Sequence, residues 1–203
     1  MRLLLIRHAE SVHSQLGLVA GERGCLGLTQ RGQEQAQALR WRLESSPADV
    51  LLSSTMPRAS ETARLLAPAV PAGLRFDRNL CELHPGEGDG LTVAEFTARY
   101  GSADPQARPD QPLSPGGESW HDFTRRVGTT LDGLAAGYPG QTVAAVTHAG
   151  FIVRALVVLL GVPRPGTRAR IETGFASVTQ WEYSEPGRYW TLRSFNDTSH
   201  LAG

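Results

Sequence analysis

Two short apolar runs in this chain end in the same way, and this repetition restricts its fold more than any other feature. Residues 3–6 (LLLI) lead directly into Arg7 and His8, and residues 142–147 (TVAAVT) lead into His148. Apolar runs of this length, bounded by polar residues, are typical of buried strands. The sequence therefore predicts two core strands that each deliver a histidine at their carboxyl end.

A third short strand is predicted at residues 49–54 (DVLLSS), and the helix after it begins near Pro57 and carries Arg58. Proline is favoured in the first turn of a helix. If the three strands are parallel neighbours, the polar side chains that follow them converge at one edge of the sheet, where open α/β sheets bind ligands. Those side chains are Arg7, His8, Arg58 and His148.

Strand and helix patterns alternate along most of the chain, which predicts an α/β fold, a three-layer α/β/α sandwich around a mostly parallel central sheet. Thr29, Thr92 and Ser119 precede helical patterns as N-caps. Residues 175–183 and 188–195 are rich in aromatic and β-branched residues and flank a turn, so we expect an antiparallel C-terminal strand or hairpin. The length fits one domain over residues 1–203.

The composition limits the possible partners and chemistry. Formal net charge is zero, which gives no global electrostatic reason to expect nucleic acid or membrane binding. All 20 basic side chains are arginines, which excludes a lysine Schiff base and a phosphate loop that depends on lysine. Cys25 and Cys81 follow no metal or disulfide spacing. The apolar run at residues 3–6 is too short for a signal peptide or a membrane span, so a cytoplasmic protein is expected, with an oligomer possible.

The converging side chains suit chemistry on a phosphomonoester. The substrate is a dianion, so its site needs several donors for the nonbridging oxygens and a nucleophile in line with the leaving oxygen. Guanidinium groups such as those of Arg7 and Arg58 bind two phosphate oxygens at once. Their charges should lower the pKa of His8 and keep its imidazole neutral, as attack on phosphorus requires. The small residues Ala9 and Ala149 let backbone approach the anion.

Several motifs together resemble the histidine phosphatase superfamily, which includes the cofactor-dependent phosphoglycerate mutases. Their order and spacing extend over nearly the whole chain. The motifs are residues 7–10 (RHAE), 28–36 (LTQRGQEQA), 53–63 (SSTMPRASETA), 115–119 (PGGES), 147–150 (THAG) and 196–201 (NDTSHL). The resemblance implies that His8 becomes a phosphohistidine, while Arg7, Arg58 and His148 hold the transferring phosphoryl group.

The resemblance also implies a general acid in the segment 80–92 (LCELHPGEGDGLT), where a carboxylate stands ahead of spaced glycines. Glu82 matches that position. It would protonate the leaving oxygen and then take a proton from the attacking water. Glu87 and Asp89 are close in sequence, and either is an alternative donor.

Departures from the family pattern bear on substrate choice. Ser14 stands where many relatives have an asparagine that helps to hold phosphate, and His84 lies two residues after the predicted acid. Both are candidate substrate contacts, as is Ala149. The segment from about residue 91 to residue 115 is the predicted lid over the site. His13, His121 and His200 have no partner at metal-ligand spacing, so packing or solvated roles are expected for them, and no metal or cofactor is predicted.

The leading functional hypothesis is a metal-independent phosphatase that hydrolyses a small phosphomonoester through phosphohistidine. Phosphoglycerate mutase-type transfer is one alternative, although the acid segment here is short and glycine-rich, which favours access of water. A catalytically inactive phosphate-binding protein is the other alternative, and retention of all the core residues counts against it. The alcohol that would be released stays open.

Overall fold

The computed structural model describes residues 1–102, 108–162 and 170–202, and their strands form one six-stranded sheet. The strand order is β3-β2-β4-β1-β5-β6. The strands are β1 (Arg2–Arg7), β2 (Val50–Ser53), β3 (Leu74–Phe76), β4 (Thr142–Thr147), β5 (Val178–Ser184) and β6 (Tyr189–Asp197). The predicted mixed sheet is confirmed, because β1 to β4 run parallel and β5 and β6 run antiparallel to their neighbours.

The three strands predicted to carry the site are adjacent, and their register brings their carboxyl ends to the same level. Strand β4 lies between β1 and β2 and is parallel to both. Val146 of β4 pairs with Ile6 on one side and with Ser53 on the other. The carboxyl ends of the three strands are therefore level, and the residues that follow them open onto one edge of the sheet.

Helices cover both faces of the sheet. They are α1 (Val12–Leu16), α2 (Gln30–Ser45), α3 (Pro57–Leu66), α4 (Val93–Tyr100), α5 (Trp120–Gly137) and α6 (Ala149–Leu160). The three predicted N-caps are confirmed: Thr29, Thr92 and Ser119 each accept a hydrogen bond from a backbone N–H in the first turn of α2, α4 and α5. Such caps stabilise a helix by about 1 kcal/mol each.

The core consists of two layers of apolar side chains, one on each face of the sheet. In β1, Leu4 and Ile6 pack with residues of α2 and α3, and Leu3 and Leu5 pack on the other face with residues of α5 and α6. Alternate side chains of a strand point to opposite faces, so a strand buried on both sides is apolar throughout. This explains why the sequence of β1 is an unbroken apolar run.

The C-terminal hairpin is confirmed, but its first strand starts later than predicted. Strand β5 begins at Val178 and not at residue 175. Ala176 has a φ of 55°, a left-handed conformation that interrupts an extended strand. Phe175 is consequently released from the sheet and lies against Arg7 at the edge described below.

Part of the predicted lid, residues 103–107, lies outside the described residues. None of the helices within the described residues combines the length and the apolar character needed to cross a bilayer.

Candidate active site

The structure brings His8 and His148 together at the carboxyl edge of the sheet. The two rings have centroids 5.3 Å apart. The backbone N–H of His8 donates to the carbonyl of Thr147 at 2.9 Å, which joins the ends of β1 and β4. Both histidines are buried, with relative exposures of 4% and 0%. The predicted convergence of the two strand ends is thus a consequence of parallel pairing.

The ring of His8 is held in the form that leaves Nε2 free. Its Nδ1 lies 2.8 Å from the carbonyl oxygen of Ala9, and because a carbonyl only accepts, Nδ1 carries the proton of the neutral ring. Burial lowers the pKa of His8 well below its usual value, and the charges of Arg58 and Arg7 lower it further. The predicted neutral imidazole is therefore supported, although burial contributes more than the arginines.

The two arginines reach the site from different elements. Arg58 lies in the first turn of α3 and is only 2% exposed. Its guanidinium donates to the carbonyl of Gly21 at 3.4 Å and contacts Met56 Sδ at 3.3 Å. Arg7 stacks on the ring of Phe175, with Cζ 3.9 Å from the ring centroid, and donates to the carbonyl of Thr173. Burial lowers the pKa of Arg7. These contacts fix the orientation of both guanidinium groups.

Three nitrogen atoms in this group are buried without a hydrogen-bond partner among the described residues. They are Arg7 Nε, Arg58 Nε and His148 Nδ1. A buried polar group left unpaired costs about 1–3 kcal/mol. The three side chains lie close to His8, since the charges of Arg7 and Arg58 lower its pKa and the ring of His148 is 5.3 Å from its own. Cationic and imidazole donors of this kind are suited to bind an oxyanion.

The other ring nitrogen of His148 is held by Ser54. His148 Nε2 lies 2.8 Å from Ser54 Oγ. The same hydroxyl accepts from the N–H of Met56 at 3.2 Å and contacts Cys81 Sγ at 3.2 Å. A hydroxyl both donates and accepts, so Ser54 can form this hydrogen bond with the neutral ring and with the protonated ring of His148. Nδ1 is then the ring atom directed to a ligand.

Glu82 lies beside His148, at the start of helix α6. Its carboxylate accepts from the N–H of Gly150 at 2.9 Å and from the N–H of Leu83 at 3.1 Å. The side chain is partly exposed. A carboxyl group that is accessible to solvent can serve as a general acid or base.

The two alternative acids occupy different places. Glu87 is exposed. Asp89 accepts from the backbone N–H groups of Gly21, Arg23 and Gly24, at 2.8 to 2.9 Å, so it organises the loop before α2. Of the three carboxyl groups, that of Glu82 is held by the N–H of Gly150 at the start of α6, two residues after His148, and its role as the acid stays a prediction.

The predicted contact Ser14 lies in a small polar network. Its hydroxyl is 2.9 Å from Ser11 Oγ and 3.3 Å from His13 Nε2. The ring of His13 also lies near that of His8, with centroids 6.1 Å apart. His13 is buried at 8% exposure, and burial together with Arg58 and Arg7 lowers its pKa to about 4. A contact between Ser14 and substrate stays a prediction.

The last two predicted contacts flank the acid. Ala149 is the first residue of α6, immediately before the Gly150 N–H that holds Glu82. His84 is half-buried and lines a cavity of about 600 Å³ together with Arg78 and Arg126. Burial lowers the pKa of His84, and Arg126 adds to the effect. Whether either residue touches a substrate stays a prediction.

Sequence reasoning missed three residues of this site. His13 is buried, in agreement with the packing role predicted for it, but its place beside His8 follows from the short turn between β1 and α1. The sequence predicts Phe175 only as part of a strand, and Ser54 only as the end of a strand and part of a motif. The spacing of two histidines five residues apart around a predicted strand end is the one signal that could have pointed to His13. His121, in contrast, is exposed and pairs with Asp110.

No group of three or more histidine, cysteine or acidic side chains is arranged to hold a metal ion within residues 1–102, 108–162 and 170–202. The prediction that no metal takes part is not tested by this observation. What the described site offers is the buried imidazole of His8, the buried guanidinium group of Arg58, the partly buried guanidinium group of Arg7, the buried imidazole of His148 and one carboxyl group.

Comparison with known proteins confirms the family that the sequence motifs predict. A family model described as the histidine phosphatase superfamily (branch 1) matches residues 3–198. A bifunctional protein of Mycobacterium tuberculosis is 32% identical over 202 residues, covering 98% of this chain and 55% of that protein. The chain therefore spans about half the length of the first curated relatives that it matches.

Two solved structures are similar over nearly their full length. A mycobacterial glucosyl-3-phosphoglycerate phosphatase, in a complex with VO3, superposes with a TM-score of 0.80 at 28% identity, covering 96% of this chain and 98% of that chain. The alpha-ribazole phosphatase of Shigella flexneri superposes with a TM-score of 0.83 at 27% identity, covering 98% of this chain and 97% of that chain.

Proposed function

Because this chain belongs to the histidine phosphatase superfamily, branch 1, we propose that it is a phosphatase that hydrolyses small phosphomonoesters through a phosphohistidine on His8. The observation that carries the proposal is that Arg7, Arg58 and His148 lie close to His8 and that each has a buried nitrogen without a hydrogen-bond partner among the described residues. Donors of this kind bind the nonbridging oxygens of a phosphoryl group.

In the first step, Arg7 and Arg58 bind the phosphate dianion and neutralise its charge. His8 Nε2 attacks phosphorus, so an N–P bond forms while the P–O bond to the alcohol breaks. Glu82, in its protonated form, gives its proton to the leaving oxygen. The hydrogen bond of His8 Nδ1 to the Ala9 carbonyl stabilises the positive charge that the ring acquires.

In the second step, a water molecule attacks the phosphohistidine. Glu82, now a carboxylate, takes a proton from that water, the N–P bond breaks and inorganic phosphate is released. His148 Nδ1 donates to the phosphoryl oxygens, where charge accumulates during both transfers. A positioned acid or base of this kind is typically worth about 10² to 10⁴ in rate.

The names of the similar structures support a hydrolase, since both are phosphatases. They act on different phosphoesters, and the pocket residues of this chain depart from the family pattern at Ser14. The substrate is therefore proposed only as a small phosphomonoester. The mechanism uses no metal, and metal-independent turnover is part of the proposal.

The test is turnover of p-nitrophenyl phosphate and of a panel of phosphorylated metabolites by the unmodified protein, by His8→Ala and by His121→Ala. His121 is an exposed histidine with no contact to the site, so this variant is the matched control and should retain full activity. His8→Ala should lose it. Equal rates for all three proteins would reject the phosphohistidine mechanism.

A rapid-quench experiment with ³²P-labelled ester identifies the intermediate. An acid-labile phosphoryl group on His8 is expected within the first turnover. Hydrolysis in H₂¹⁸O then separates the functions, because a phosphatase places ¹⁸O in the released phosphate, whereas a mutase returns the phosphoryl group to another hydroxyl of the substrate. Absence of any turnover across the panel would favour a binding protein.

A further inference from the structure

The backbone that carries Glu82 is held from outside the site by Arg126 of helix α5. One terminal nitrogen of Arg126 donates to the carbonyls of Asn79 at 2.7 Å and Cys81 at 2.9 Å. The other donates to the carbonyl of Glu82 itself at 3.2 Å. Three carbonyls within four residues therefore point at a single guanidinium group.

Glu118 completes the arrangement. Arg126 Nε and its second terminal nitrogen donate to the two carboxylate oxygens of Glu118, at 2.9 and 2.8 Å. Glu118 also accepts from the N–H of His84 at 3.3 Å, and its own N–H donates to the carbonyl of His84 at 2.9 Å. The pair, which we term the Arg126–Glu118 clamp, thus holds the acid segment on both sides of Glu82.

The clamp uses the full hydrogen-bonding capacity of an arginine. A guanidinium group has five N–H donors in a fixed plane, and Arg126 makes five hydrogen bonds, two to Glu118 and three to main-chain carbonyls. The side chains are 16% and 12% exposed. A lysine at this position would keep the charge but offers only three donors from one point.

The carboxylate of Glu82 depends on this backbone for its position. Its own contacts are the N–H groups of Gly150 and Leu83, and only the first belongs to a different element. A shift of the 79–84 backbone would therefore move the carboxyl group relative to the leaving oxygen, while His8, Arg7 and Arg58 would stay where β1 and α3 place them.

We propose that the Arg126–Glu118 clamp is a positioning device for the general acid, so that Arg126, without touching substrate, governs proton delivery to the leaving group. This inference rests on the proposed function. General acid catalysis matters most when the leaving alcohol is a poor leaving group, and least when it is a nitrophenolate that leaves without a proton. A role confined to folding would affect both kinds of ester equally.

The experiment compares Arg126→Lys and Arg126→Met with the control variants Arg125→Lys and Arg125→Met. Arg125 is the preceding residue of α5, but its side chain is 68% exposed and pairs with Asp122. The kcat and KM values are measured for p-nitrophenyl phosphate, phenyl phosphate and glycerol 3-phosphate, and folding is checked by circular dichroism. If both Arg126 variants fail to fold, Glu118→Gln is measured on the same esters in their place.

For Arg126→Lys, we expect kcat on the alkyl ester to fall about tenfold or more, within the range of an impaired general acid, while kcat on p-nitrophenyl phosphate changes less than about twofold. The Arg125 variants should behave as the unmodified protein. A uniform loss on all esters, or no loss on any, would overturn the inference.

Glu82→Gln, measured on the same esters, separates this inference from the proposed function. If Glu82→Gln shows the leaving-group dependence and Arg126→Lys does not, the clamp proposal fails alone. If Glu82→Gln shows no such dependence, Glu82 is not the general acid, and the clamp proposal fails with that assignment. If both variants show it, both proposals stand.

Discussion

Gly150 and the carboxylate of Glu82 are packed so closely that any side chain on residue 150 would require the carboxylate to move. The N–H of Gly150 donates to Glu82 Oε2 at 2.9 Å. A Cβ atom on Gly150 would overlap with the same carboxylate, since Oε1 and Cδ lie well inside van der Waals distance of the position it would take. The N–H of Gly150 in helix α6 therefore meets the carboxyl group with no side chain on the same residue in the way.

We predict that Gly150→Ala displaces the Glu82 carboxyl group and impairs proton transfer. Turnover of alkyl phosphates should fall about 10²-fold, toward the lower end of what general acid catalysis contributes, with a smaller loss on p-nitrophenyl phosphate. Gly133→Ala is the matched control, because Gly133 is in α5 and a Cβ there meets nothing within 4 Å. Wild-type activity in Gly150→Ala would show that the carboxyl group tolerates the displacement.

Ser54→Ala should affect both kinds of ester alike. It removes the partner of His148 Nε2, so the ring loses the contact that directs Nδ1 toward the phosphoryl group. We expect kcat/KM to fall about tenfold, equivalent to about 1.4 kcal/mol of transition-state stabilisation. The ¹⁵N chemical shifts of the His148 imidazole should change as well.

Ser53→Ala is the control for that variant. Ser53 is the preceding residue, is equally buried, and donates to the carbonyl of Ser54 and not to a histidine. Its variant should keep the ¹⁵N shifts of His148. An equal loss of kcat/KM in the two variants would mean that cavity formation explains the result and that Ser54 does not direct His148.

The stability of the protein should decrease as the pH falls below about 6.5, the usual pKa of an unfolded histidine. Burial and the nearby arginines lower the pKa of His13 to about 4 in the folded state, so between these values the unfolded chain binds a proton that the folded chain does not. Stability then rises with pH across this window. Lowered pKa values of His8 and His148 act in the same direction.

Urea unfolding at pH 7 and pH 5 measures this effect. The loss of unfolding free energy between the two values should be smaller in His13→Gln than in the unmodified protein, by about 1 kcal/mol. His121→Gln, at an exposed position, should leave the difference unchanged. An identical pH dependence in His13→Gln would mean that folding does not lower the pKa of His13.

Vanadate should inhibit turnover, because a trigonal-bipyramidal vanadate bound to His8 Nε2 would place its oxygens at the unpaired nitrogens of Arg7, Arg58 and His148. Arg58→Ala should weaken this inhibition about tenfold or more, as expected for loss of a charged hydrogen-bond donor worth about 1.5–3 kcal/mol.

Turnover in excess EDTA should equal turnover without it, and a decrease would indicate a metal-dependent step.

The local patterns of the sequence were sufficient to predict most of the fold. Apolar runs identified β1, β2 and β4, and Thr29, Thr92 and Ser119 identified the starts of three helices, because burial and capping act over a few residues. The convergence of His8 and His148 followed only if these strands were parallel neighbours, and the structure supplies that pairing. The core of the candidate site was predictable under this one condition.

Sequence alone determined which strands deliver which polar groups, since the order of apolar runs and the residues that follow them are properties of short segments. Tertiary structure alone decided the contacts that orient those groups. Gly150 meets Glu82 across 68 positions of the chain, and Arg126 meets the same segment across 44 to 47. Such contacts depend on how helices α5 and α6 pack against the sheet. The residues that meet there are far apart in the sequence, so their contacts leave no periodic or local pattern from which they could be predicted.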